Sequence, residues 1–360
     1  MKKSIFLFMV LLVSCFSFSI GVNAAPPQEK VKAGFLYIGP VGDAGWSFAH
    51  DQGRQEMEKL SFVEPSTYIE SVPEGAESAR AIMGLVHKGH NVIFTTSFGY
   101  MDATIDVAKR FKDVVFMHCS GYKTADNVGT YFGRMYEPRF LSGMVAGKMT
   151  KNNMVGYVAA FPIPEVVRGI NAFTLGVRSV NPEAKVKVVW TQTWLDPGIE
   201  RVAADSLLDV GCDVLAMHQD TPATLQAAET RGAYVIGYNC DMRSFAPKAF
   251  LTAPIWNWGA VYTQVAQAVH DGTWKNDQLW WGLDKGLVKL APLADQVPAE
   301  VRSMVEDKTA AIVSGKFHPF QGPIKDQKGV EKVAAGTTLS DGDLLGMNWF
   351  VEGVQGNISK

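Results

Sequence analysis

The residues of this chain best suited to chemistry are aromatic and polar side chains that come just after hydrophobic strands. Gly39-Pro-Val-Gly-Asp-Ala-Gly-Trp-Ser-Phe48 follows the first strand, 31–38, and opens a helix with two aromatics, Trp46 and Phe48. Loops at the carboxyl ends of strands are where an open α/β sheet binds its ligands, and an aromatic side chain there presents a flat apolar face to a flat ring. A phosphate-binding turn needs GxGxxG or GxxxxGK[ST] with free backbone amides, whereas here Trp46 fills the space an anion would take. The pattern recurs down the chain: Phe98 and Tyr100 follow the strand 91–95, Phe161 follows 155–159, Trp194 follows 186–190, and Trp256 and Trp258 follow 250–252. His218 and Asp220 come after 213–217, and Asn239 and Asp241 after 234–238. Taken singly, most of these residues suit core or hinge packing. Together they describe an aromatic-lined cleft with few polar groups, the make-up of a small-molecule site.

Catalytic patterns are missing from the sequence. There is no HExxH, no GxSxG and no metal-spaced His/Cys cluster among the seven histidines. His118 and Cys119 are neighbours on a strand, so their side chains point to opposite faces and do not form a thiol–imidazole pair. A binding protein without catalysis, metal or cofactor is expected; the enzyme alternative, a secreted nucleoside hydrolase, would need a metal or acid–base cluster.

The elements that must position these loops alternate regularly. Short β-branched or aromatic runs (32–38, 67–72, 91–95, 114–118, 155–159, 186–190, 213–217, 234–238, 250–252) are separated by stretches with helical spacing (47–60, 76–88, 102–111, 138–149, 165–180, 198–210, 222–231, 258–270). Such alternation predicts an α/β fold of parallel sheets covered on both faces by helices. The pattern restarts after Asp126-Asn-Val-Gly129, and the segments after 252 are too short to be a domain. The reading is therefore two lobes joined by several crossings: 30–126 with 253–282, and 127–252 with 283–315. The remainder, 316–360, is rich in turn signals but carries Met347, Trp349, Phe350 and Val351, so it is expected to pack as an extended tail across the lobes.

Bulk properties narrow the setting. Residues 1–24 have Lys2 and Lys3, an apolar run from Ile5 to Val13 and a small-residue cleavage site at Val22-Asn-Ala24, the signature of a secretory leader. Export to the periplasm is expected, with a lipoprotein anchored through Cys15 of Leu12-Val-Ser-Cys15 as the alternative. Removing the leader leaves about 335 residues, room for two domains of ordinary size. A net charge of −2 without a basic block argues against nucleic acid. Cys119, Cys212 and Cys240 are scattered and odd in number, which indicates neither a disulfide framework nor a zinc site.

Six motifs in order, Asp43-Ala-Gly-Trp-Ser-Phe48, Ser97-Phe98-Gly99, Phe140-Leu-Ser-Gly143, Trp194-Leu-Asp-Pro197, Gly211-Cys-Asp-Val214 and Ile236-Gly-Tyr-Asn-Cys-Asp241, resemble the basic membrane protein (BMP) family of ABC-transporter substrate-binding proteins. The resemblance implies a type I periplasmic-binding-protein fold of two Rossmann-like lobes with a multi-strand hinge, no catalysis, and delivery of ligand to an inner-membrane permease by a monomer. It also implies a purine nucleoside as ligand, with riboflavin binders as an outlying branch. Carried over by residue, the family's two stacking aromatics fall on Phe48 and Trp194. Its carboxylates and lysine are replaced by Gly39, Cys119, Asn239 and Trp256, while a family glycine becomes Asp220. Carboxylates accept ribose hydroxyls in hydrogen bonds worth about 1.5–3 kcal/mol each. Their loss, with Trp in place of Lys, points to a pocket that has shrunk around a ring without a sugar. Adenine is the favoured ligand, its donors accepted by Asp220 and the Asn239 amide oxygen; an intact nucleoside or another flat heterocycle is the alternative.

Overall fold

Strands buried on both faces need helices on both sides, and the chain winds its alternating elements into two such layers. The computed structural model describes residues 27–358; the expected leader 1–24 and Cys15 lie outside the described residues. In chain order the strands are β1 (Ala33–Leu36), β2 (Thr67–Ile69), β3 (Val92–Thr95), β4 (Val115–Cys119), β5 (Val128–Gly133), β6 (Met154–Ala159), β7 (Lys185–Trp190), β8 (Val214–His218), β9 (Tyr234–Ile236), β10 (Phe250–Thr252), β11 (Pro254–Trp256), β12 (Gln278–Trp281), β13 (Val288–Leu290), β14 (Ile324–Lys325), β15 (Glu331–Val333) and β16 (Val354–Gln355). One six-stranded sheet runs β12-β5-β4-β3-β1-β2 and the other β10-β9-β8-β6-β7-β16. Every pairing in both is parallel. All residues of β1, β3, β4, β5 and β8 are buried, as sheets covered on both faces require.

The two strand orders fix where a ligand can sit. In the first sheet β1 is flanked by β2 on one side and β3 on the other, and in the second β6 is flanked by β7 and β8. The connections after β1 and β3, and those after β6 and β8, therefore leave in opposite directions and open a crevice at each switch point. The crevices face each other across the cleft between the lobes.

Three sequence expectations need correction. Strand β5 was not anticipated, and it pairs with β4 and β12 in the first sheet, so the first crossing follows Gly133 and not Asp126. The Asp126-Asn-Val-Gly signal marks a tight turn instead, with Ala125 and Val128 exchanging both backbone hydrogen bonds. The helix Ala299–Val313 was likewise missed. In the tail, the short helix Asp341–Leu345 starts with a Ser340/Asp343 capping box, and β16 extends the edge of the second sheet along β7. The apolar anchors Met347, Phe350 and Val351 all join the core of the second lobe. The return crossings use β11 and β13, which pair antiparallel and form the hinge strap. No helix among the described residues is long and apolar enough to cross a membrane.

Candidate functional site

The cleft between the lobes holds a slot of about 410 Å3, counted out to its open mouth. Its walls come from the loops at the two switch points: Ile38 and Trp46 after β1, Thr96, Ser97 and Phe98 after β3, Ile163 and Glu165 after β6, and His218 and Asp220 after β8. Trp194, Ser120 and Tyr238 complete the lining.

On the first lobe, local chemistry fixes the aromatic wall. Asp43 accepts hydrogen bonds from the backbone N–H groups of Gly45, Ser47 and Phe48 at 2.7–3.0 Å, capping the helix Trp46–Met57 and setting the angle at which the chain enters it. Trp46 donates its indole N–H to the Thr96 carbonyl at 2.8 Å, and its edge packs against Trp256 and Trp258. Glu74 accepts from the Ser97 hydroxyl and the Gly99 amide, which holds the loop carrying Phe98. On the second lobe, Pro197 at the first helical position and Asp196 at the cap, accepting from Gly198 and Ile199 at 3.0 Å, start the helix Pro197–Asp209 directly after Trp194. Phe161 meets Trp194 edge-on at 5.0 Å between ring centroids.

The titratable groups of the slot lie on the second lobe. Burial pushes the Glu165 carboxyl up to about 7, partly offset by the guanidinium groups of Arg168 and Arg139. His218 Nε2 lies 3.6 Å from Glu165 Oε1, but burial first and the same two arginines second hold its pKa well below the usual imidazole range. The pair is thus a neutral imidazole beside a carboxyl, not an ion pair. Asp220 is raised well above the ordinary carboxylate range by burial, with Asp43 and Glu200 adding repulsion. Its Oδ1 accepts from Asn239 Nδ2 at 2.9 Å, while Asn239 Oδ1 accepts from Trp256 Nε1 at 3.1 Å.

Of the twelve residues singled out from sequence, Trp46, Phe98, Trp194, His218 and Asp220 line the slot. Phe48 does not: it is half-buried, two residues further along the helix, and Trp46 is the residue of this turn that lines the slot. Asn239, Trp256 and Phe161 stand one layer back, where the first two orient Asp220 and the third braces Trp194. Tyr100 is a core residue whose hydroxyl donates to the Val72 carbonyl, and Cys119 is fully buried beneath the end of β4. Gly39 donates its amide to the Ser47 hydroxyl and serves the loop, not the slot. Asp241 is tied to Arg243 at 2.8 Å outside the cleft. Cys119, Cys212 and Cys240 are all free thiols.

Glu165 is the main omission. Its position in the first turn of a helix, after a strand-end loop already marked by Phe161, was the available signal. Ser97 stood inside a noted motif, but a serine there has no pattern to separate it from an ordinary turn residue.

The lobes also touch directly. A Cβ on Gly45 would stand 2.2 Å from the Asp220 carbonyl oxygen, so this close approach requires glycine. Cys240 Sγ donates to the Ala44 carbonyl at 2.9 Å beside it. These contacts, backbone on backbone at Gly45 and thiol on carbonyl at Ala44, describe a closed clamp.

Comparison with known proteins agrees with this architecture. Residues 30–319 match the Bmp family model, described as ABC transporter substrate-binding protein PnrA-like. A purine-binding protein of Brucella abortus is 47% identical over 96% of this chain and 98% of its own length. A putative ABC transporter glucose-binding protein of Haloferax volcanii is 42% identical over 92% of this chain and 82% of its own. The crystal structure of an ABC transporter solute-binding protein from Aeropyrum pernix superposes with a TM-score of 0.70 at 18% identity, covering 87% of this chain and 95% of that one; it speaks to the fold alone. A slot at the switch points of two parallel-sheet lobes, closed by backbone contact across the cleft, is what a solute receptor needs, and the chain belongs to the PnrA-like Bmp family of ABC transporter substrate-binding proteins.

Proposed function

We propose that the protein captures a purine base, adenine before others, outside the cytoplasm and delivers it as a monomer to an inner-membrane ABC permease. The observation that carries this reading is the slot itself, with Trp46 and Trp194 on opposite lobes and the Asp220 carboxyl beside them. Base–aromatic stacking is worth about 1–3 kcal/mol per base, and two walls can supply it twice.

Asp220 refines the choice of base. From sequence it was expected to act as a carboxylate accepting the donors of adenine. Burial and three neighbouring acids favour its protonated form, which offers an O–H donor beside an acceptor lone pair. That pair complements an exocyclic amine next to a ring nitrogen. The Asn239 amide oxygen, once counted as a ligand acceptor, is occupied by Trp256, so Asn239 acts by orienting Asp220. The Brucella relative, named as purine-binding, supports the reading.

The test is mass spectrometry of small molecules released when the purified protein is denatured, since a closed clamp retains its ligand. A purine base is the expected species. A sugar or an intact nucleoside in its place would refute the proposal.

A further inference from the structure

A second cavity adjoins the slot and shares Phe98, Ser120, Ile163 and Glu165 with it. It is roomier, about 1010 Å3 counted the same way. Its walls are mostly carbon, from Tyr122, Phe132, Leu279 and Trp280 of the first lobe, Pro164 of the second, and Leu345 of the tail. Three of the lining residues are large apolar side chains left open to solvent, Phe98 at 43%, Tyr122 at 62% and Leu345 at 50%. A single exposed apolar residue is ordinary, but three around one concavity form a patch that calls for an occupant.

Two polar groups of this annex are already engaged. Arg168 donates to the Leu344 carbonyl at 2.7 Å and lies over the Trp280 ring, and Gln278 donates to the Tyr122 carbonyl at 3.0 Å. A substituent entering the annex meets mostly carbon, with the Glu165 carboxyl and the Ser120 hydroxyl where it joins the slot. Leu345 is held in place from two sides, by the Arg168 bond to its neighbour and by Asp341, which accepts both Arg134 guanidinium nitrogens at 2.7–2.8 Å.

Resting on the purine-base reading above, we infer that the annex is a subsite for an apolar substituent, and that the ligands of this protein include purines alkylated or arylated on the edge that faces away from Asp220. Asp220 lines the slot but not the annex. With the exocyclic amine at Asp220, the edge carrying N9 faces the annex. The tail then has a ligand-related task, since Leu345 closes one wall.

The experiment titrates adenine, adenosine and 9-benzyladenine into the purified exported protein and into Leu345→Asp, an exposed position where a charge is tolerated by the fold. Burying a phenyl group removes enough apolar surface that 9-benzyladenine should bind at least about tenfold more tightly than adenosine. Leu345→Asp should cancel that advantage while adenine affinity stays within about threefold. If adenine binds and 9-benzyladenine is no better than adenosine, or if Leu345→Asp affects all three ligands alike, the annex is not a subsite. If adenine itself fails to bind, the purine reading falls and takes this inference with it.

Discussion

The two walls of the slot differ in kind. The first lobe contributes Trp46, Phe98 and the small hydroxyl residues Thr96, Ser97 and Ser120, none of which titrates near neutral pH, while the second contributes Trp194 together with Glu165, His218 and Asp220. One wall can stack and the other can both stack and read an edge. A hinged clamp benefits from this division. On the proposed reading, a purine resting on either lobe alone would lose a stacking face or its polar contacts, so closure would be needed to satisfy the ring. Both acids of the second wall are buried, and desolvation favours their neutral forms; Glu165 has Arg168 and Arg139 nearby, whereas the charged neighbours of Asp220 are acids.

The sharpest way to break this comparison is to remove the stacking face from each wall. Trp46→Ala and Trp194→Ala should each cost about 1–3 kcal/mol of adenine binding with little change in folding. Phe48→Ala should cost less than about threefold in affinity, because Phe48 stands outside the slot. Calorimetry on the three variants decides between Trp46 and Phe48; a large loss at Phe48 with none at Trp46 would restore the original assignment.

Closure itself is tested at Gly45. Adding a methyl group where a Cβ would stand 2.2 Å from the Asp220 carbonyl oxygen wedges the lobes apart, an overpacking penalty of about 1–3 kcal/mol. Gly45→Ala should therefore weaken binding by that amount while each lobe melts as before. Small-angle scattering should find the ligand-bound variant more open than the wild type, and identical profiles would contradict the wedge.

At Asp220 the effect divides between two variants. If its carboxyl is protonated in the slot, Asp220→Asn keeps a donor beside an acceptor and should hold adenine within about tenfold, whereas Asp220→Ala leaves polar groups unpaired and should cost about 1–3 kcal/mol. Equal losses in the two variants would mean that the group binds as a charged carboxylate.

The mildest prediction concerns pH. Glu165 has its carboxyl pKa raised by burial to about 7 from an ordinary 4.5, so the native state binds this proton more tightly than the unfolded chain. The stability it contributes is fully present below pH 4.5 and is lost as pH rises through about 7. Glu165→Gln has no such proton to lose. In ligand-free melting, the Tm of the variant relative to wild type should therefore rise between pH 5 and pH 8; a difference that stays constant would show that Glu165 is not raised.

Much of this was legible in the sequence because period and position are local signals. Alternating strands and helices announced two parallel-sheet lobes, and aromatics at strand ends announced a cleft between them. Trp194 was legible for a further reason: Asp196 and Pro197 mark a helix start beside it. What failed depended on contacts distant in sequence. Trp46 and Phe48 sit on one helical turn, and only the packing of Trp46 on Trp256, Trp258 and Thr96, all distant in sequence within the first lobe, sets it apart. The partners of Asn239 come from two distant segments, 219–220 and Trp256, so its service to Asp220 could not be read from its own loop. Strand β5 was hidden because Asp126-Asn-Val-Gly reads equally as a domain break or a tight turn.

The central claim, a clamp for a purine base read by one wall and stacked by both, is tested most directly by competitive calorimetry of the purified protein with adenine, adenosine and glucose. Adenine should bind at least about tenfold more tightly than adenosine, the margin expected when ribose exchanges water for mostly carbon walls, and glucose should give no binding heat. Adenosine binding as tightly as adenine, or glucose binding where adenine does not, would contradict it.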